Sequence, residues 1–123
     1  MSKKYVQELI GIIFSSRDFA HKKHLMSESY SQHMALGSFY VDVIAIGDKF
    51  VEAWQGRNLE LIDDIPIYKT PIDSDALKVL QKHLTLIEEC RDESAGKDTA
   101  LQNIIDELVA LYLSTIYKLK FLK

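Results

Sequence analysis

Both prolines of the chain, Pro66 and Pro71, fall in one stretch. Proline locks φ and removes a backbone donor, so no helix runs through that stretch. Gly56, Asn58, Asp63 and Asp64 lie beside them. Residues 56–73 therefore read as the one long connection. On either side, apolar residues recur at three- and four-residue spacing, the period of a helix with one buried face.

The first half carries two such stretches. Val6, Leu9, Ile10, Ile13 and Ala20 place a first helix over about residues 3–25. The run Ser27-Glu28-Ser29-Tyr30-Ser31 interrupts it, because serine hydroxyls compete for backbone hydrogen bonds and favour caps. A second helix follows over about residues 30–55, with Leu36, Phe39, Val43, Phe50 and Trp54 among its apolar positions. Gly56 then reads as its stop. In the second half, Asp73 or Ser74 can cap a third helix with Leu77, Leu80, Leu84 and Ile87 on one stripe, ending near Glu93. Asp98 can cap a fourth, through Leu101, Ile105, Leu108, Tyr112 and Leu119. Four helices with a long connection between the second and third predict an all-α, ferritin-like four-helix bundle with a crossover, as a single domain over residues 1–123.

Composition narrows the function classes. With 15 basic and 18 acidic residues the net charge is −3. A pI of about 5.8 argues against a basic nucleic-acid module. Cys90 is the single cysteine, so no internal disulfide forms, and a reducing compartment is expected. No apolar run approaches the roughly 20 residues of a membrane span. The N-terminal stretch contains Gln7, Glu8, Arg17 and Asp18 and lacks a signal peptide's apolar centre. The expected location is cytoplasmic.

The chemistry-bearing residues cluster. His21, His24 and His33 gather at the junction of the first two helices, and Asp48 and Glu52 follow on the second. Residues four apart share a helix face, so both carboxylates can point at one cation. Imidazole with carboxylate is a ligand set for a divalent transition metal such as iron. His33 and Asp48 are fifteen residues apart on one helix, about 22 Å along its axis at 1.5 Å per residue. One chain cannot bring them to one ion. The carboxylates must then come from a second subunit, through an antiparallel pairing of second helices about a two-fold axis near Tyr40–Asp42. Val41 and Ile44 would supply the apolar contact. Gly37 and Gly47 would let the backbones approach. His83 reads as solvated, and Cys90 as a small buried side chain.

The segment HKKHLMSESYSQHMALGSFYVDVIAIGDKFVEAWQG resembles the ferroxidase signature of the Dps family of miniferritins. That signature is a histidine, a second one twelve residues on, an aspartate fifteen further, and a glutamate after four more. Here the matching positions are His21, His33, Asp48 and Glu52. The resemblance implies oxidation of Fe²⁺ to Fe³⁺ by peroxide or dioxygen, at inter-subunit sites of one or two irons. His21 and His33 would supply nitrogens, with His24 as an accessory ligand candidate. Asp48 and Glu52 of the partner would supply oxygens, Glu52 with the reach to bridge two irons. It also implies a homo-oligomer, in the family a dodecameric shell. The alternative is a ferritin-like binding or structural protein that holds metal without turnover in a smaller assembly. The chain departs from the family in three places. The long connection lacks the pattern of a small extra helix. Lys22 stands where members often carry tryptophan. The lysine-rich tail that holds DNA is reduced to Lys3 and Lys4, which with the net negative charge argues against DNA binding.

Overall fold

The computed structural model describes residues 1–123 as four helices and no strand: α1 (Lys3–Met26), α2 (Tyr30–Asn58), α3 (Ala76–Ala95) and α4 (Thr99–Phe121). They form an all-α bundle in which α1 and α4 lie on opposite corners, each packed against α2 and α3. Both neighbours run antiparallel to α1. The helices α1 and α2 turn back on each other at Ser27–Ser29, and the Ser2 N–H donates to the Glu93 carbonyl at the end of α3 (2.6 Å). No helix is long and apolar enough to cross a membrane.

Side-chain caps fix where the helices begin. The Ser29 hydroxyl accepts from the Gln32 N–H, and Asp98 accepts from the Ala100 and Leu101 N–H groups. Such caps satisfy backbone donors that have no partner inside the helix. The cap of α3 is Asp75, not Asp73 or Ser74. Residues 71–74 are folded into a turn closed by the Ser74 N–H on the Pro71 carbonyl (3.1 Å), so the helix begins after it and the Asp75 carboxylate accepts from the Lys78 N–H. Arg57, near the end of α2, donates to the Asp98 carboxylate (2.6 Å) and holds its carboxyl below the usual carboxylate range. One residue therefore both starts α4 and ties it to α2.

The expected stop at Gly56 is not where α2 ends. The helix runs on to Asn58, and Leu59 takes the left-handed conformation (φ 52°, ψ 42°) with its N–H on the Gln55 carbonyl. Glycine is favoured at that position but is not required, because the hydrogen bond offsets part of the strain. Gly56 is an ordinary helical residue with open space around it.

The long connection spans residues 59–75 and lies lengthwise on α1. Its contacts come in order: Glu60 and Asp63 with Lys3, the Asp63 carbonyl with Gln7, Pro66 with Gly11, and Thr70 with Ser15. The close approach at Gly11 is what lets it lie flat. A Cβ there would stand 2.8 Å from the Pro66 carbonyl oxygen and 2.9 Å from the Tyr68 ring. Gly37 and Gly47 serve the same purpose between α1 and α2. A Cβ on Gly37 would meet the His24 ring at 2.9 Å, and one on Gly47 would meet Ile13 at 3.1 Å. Both positions are thus filled by side chains of their own chain, the close packing of a neighbouring helix that bare positions allow, and they do not lie open for a partner's backbone.

These contacts set two glycine substitutions against each other. Gly11→Ala should destabilise by about 1–2 kcal/mol in urea unfolding, because backbone overpacking outweighs the helix-propensity gain. Gly56→Ala should stabilise by about 0.5–1 kcal/mol, since only the propensity term acts there. Equal effects of the two substitutions would show that the connection does not press on α1.

Candidate functional site

The end of α1 and the start of α2 bring His21 and His24 against Tyr40, and His33 against His24. The His21 ring stacks on Tyr40 at 4.1 Å, nearly parallel (6°). His24 and His33 stack on each other at 3.8 Å. Each of that pair is anchored by the backbone of the other. The His24 Nδ1 lies 2.6 Å from the His33 carbonyl, and the His33 Nδ1 lies 2.8 Å from the His24 carbonyl. A carbonyl can only accept, so both Nδ1 atoms carry the proton. The Nε2 atoms have no partner in the chain, and in the neutral ring each holds a free lone pair. Metal-binding imidazoles adopt this arrangement, one nitrogen held by a carbonyl and the other left basic.

Asp48 and Glu52 lie elsewhere. Both are exposed on the far half of α2. The nearby cations point away from them: Lys49 pairs with Glu107 on α4 (3.2 Å), and Arg57 with Asp98. Neither carboxylate has an ion-pair or hydrogen-bond partner in the chain. The chain alone assembles no group of three His, Cys, Asp or Glu side chains that could hold an ion. Between the two clusters, Val41 is 56% exposed. His24, Met34, Tyr40, Val41 and Asp42 line a shallow hollow of about 450 Å³. Ile44 differs from expectation. It is half-buried, facing a groove with Phe14 and Pro66 of its own chain.

A second constellation was not foreseen. His83, expected to be solvated, is only 7% exposed. Its Nδ1 lies 2.6 Å from the Ser16 hydroxyl, which accepts from the Tyr112 hydroxyl at 2.6 Å. Burial raises the Tyr112 hydroxyl far above its usual value, so it stays a donor. The Ser16 hydroxyl contacts only Tyr112, which donates to it, and His83, so the one acceptor open to its proton is His83 Nδ1. The neutral imidazole therefore carries its proton on Nε2. Burial, aided by the Lys82 charge, pushes the His83 pKa down to about 4. Helical spacing held the clue: His83 falls on the stripe of Leu80 and Ile87, and Ser16 on that of Ile13 and Ala20. Cys90 is buried as expected, its thiol pushed up by burial and the nearby Glu8 and Glu89 charges.

Comparison with known proteins adds kinship without an activity. Residues 24–119 match a family of unknown function (DUF5856), and the chain belongs to that family. The matched region contains His24, His33, Asp48, Glu52 and His83 and begins after His21. A similar protein is an uncharacterised 14.6 kDa protein from the mobD-ri intergenic region of Enterobacteria phage T4. It is 23% identical over 116 residues, which cover 91% of this chain and 85% of the relative. No solved structure matches.

The buried imidazole makes stability depend on pH. Between about pH 6.5 and 4 the unfolded chain binds a proton at His83 that the folded chain refuses, so stability falls as pH falls through that window. The full loss from this group is about 3 kcal/mol. His83→Asn keeps an acceptor for Ser16 but does not titrate. It should be less stable at pH 8 and lose less between pH 6.5 and 4, as read by urea midpoints. An unchanged slope would place the titration on another group.

Proposed function

We propose that this member of the DUF5856 family binds iron and oxidises Fe²⁺ at sites shared between two copies of the chain. The observation that carries the reading is the paired anchoring of His24 and His33, whose Nδ1 atoms are taken by backbone carbonyls and whose Nε2 atoms have no partner in the chain. The unpaired carboxylates of Asp48 and Glu52 support it from the other end of α2.

The geometry of a shared site follows from distance. The histidines and the carboxylates of one chain are separated by about 22 Å along α2, so each half needs the opposite half of a partner. Antiparallel pairing of two α2 helices about the Tyr40–Asp42 region aligns His33 with the partner copy's carboxylates, at both ends of the contact. Val41 and the hollow beside it lie at the centre of that contact. Neutral imidazoles and anionic carboxylates together favour the ferric over the ferrous ion, because each added negative charge stabilises the higher oxidation state more. With peroxide as oxidant, two Fe²⁺ each release one electron. The peroxide takes up both electrons and two protons and leaves as two waters. The resemblance to Dps miniferritins supports this chemistry, and a ferric mineral within a homo-oligomeric shell would be its product.

The test uses two inactive chains. A His21→Ala/His33→Ala chain and an Asp48→Ala/Glu52→Ala chain should each oxidise Fe²⁺ little faster than buffer. Mixed and refolded together, they should recover roughly a quarter of the wild-type rate, because half of the dimers are mixed and each mixed dimer has one intact site. Recovery in the mixture is the result expected. No gain on mixing would reject the shared site. Metal uptake with no oxidation would instead favour a protein that binds metal without turnover.

A further inference from the structure

On the side of α1 away from α2 lies a cleft of about 510 Å³, walled by α1, α3 and the 59–75 connection. Its floor is apolar, with Ile12 and Leu86 at mid-length. Because α3 runs antiparallel to α1 and the connection runs along α1, its two ends are chemically different. Lys69, Lys82, Thr70 and His83 line one end, and Glu8, Glu89, Tyr5 and Cys90 line the other. Burial raises both the Tyr68 hydroxyl and the Cys90 thiol, and the Glu8 charge adds to each, which places the carboxylate near both groups at that end. None of Lys69, Lys82, Glu8 and Glu89 forms a salt bridge or a side-chain hydrogen bond.

His83 points this surface toward a ligand. The residue is more than nine-tenths buried, its Nδ1 is held by Ser16, and its Nε2–H donates to nothing in the protein. That N–H is not sealed in the core, since Trp54 and Ser94 hold the sealed, unpartnered atoms. His83 is one of the residues that line the cleft, and a buried donor held in one tautomer is costly unless it meets an acceptor. Water meets that need, and so does an anionic oxygen flanked by two unpaired ammonium groups. From Ser15 to Glu8, or from His83 to Cys90, is seven residues, about 10 Å along a helix.

We propose that this cleft binds a small elongated zwitterion, with its anionic group at His83, Lys69 and Lys82 and its cationic group at Glu8 and Glu89. The body between them is apolar and rests on Ile12 and Leu86. The site lies on a different face from the histidine junction and does not depend on metal binding there.

The probe is ω-aminooctanoate, whose length matches the cleft, with octanoate and octylamine as one-ended controls. Nitrogen-15 spectra of the full chain report on the His83 Nε2–H. The zwitterion should shift that signal saturably and bind about tenfold more tightly than either control. A Lys69→Ala/Lys82→Ala chain alters exposed residues only. It should bind the zwitterion no better than octylamine, and Glu8→Gln/Glu89→Gln should bind it no better than octanoate. Each pair of changes reads one end of the cleft. Absence of a saturable shift at millimolar concentration overturns the site. Equal affinity for all three probes, or binding unaffected by the lysine changes, overturns the two-ended assignment.

Discussion

Two short hydrogen bonds at the middle of the bundle, from Tyr112 to Ser16 and from Ser16 to His83, hold α4, α1 and α3 in one register. Apolar packing tolerates small slides of one helix along another. A buried polar chain does not, because breaking one link leaves a desolvated donor or acceptor at about 1–3 kcal/mol. The surrounding core is apolar, with Ile13, Ala20, Phe39, Leu80 and Leu108 all at or near zero exposure. Phe39 of α2 meets the Tyr112 ring edge-on, which brings the fourth helix to the same point. Once these four helices are fixed, α1 carries the histidine junction on its flank toward α2 and the cleft on its flank toward α3.

The fold was largely legible because the sequence is consistent at each level. The apolar stripes, the Asp98 cap and the proline-containing connection each pointed to four helices, and helix boundaries agreed to within a few residues. The failures have identifiable physical causes. Gly56 looked like a stop, but Leu59 can adopt the left-handed conformation with a hydrogen bond to Gln55. Asp73 and Ser74 looked like caps, but both lie within the turn that Pro71 and Ser74 close, and the helix begins after it at Asp75. His83 looked solvated because histidine is polar. Its burial depends on Ser16 and Tyr112, distant in sequence by 67 and 29 residues, and no local pattern reveals that pairing.

The candidate site was legible in part. Clustering of His21, His24 and His33 followed from their closeness to one helical turnaround. Their separation from Asp48 and Glu52 followed from helix rise alone. The anchoring of His24 and His33 by each other's carbonyls did not, since it needs the rings to stack across the α1–α2 junction. Gly37 is part of the same device. With no Cβ it leaves the room in which the His24 ring lies. The glycine expected to admit a partner thus serves the histidines directly, and in the proposed pairing the contact between copies would rest on Val41 and the hollow beside it.

The central claim is that the histidines of one chain and the carboxylates of another complete a metal site. Native mass spectrometry of the full chain, titrated with Co²⁺ as an oxidation-resistant stand-in for Fe²⁺, tests it most directly by reading subunit number and bound metal in the same ion. The expected result is an even-numbered assembly that takes up metal in proportion to its chains, with the monomer fraction metal-free. A monomer that binds the full complement of metal, or an assembly that binds none, would contradict the claim.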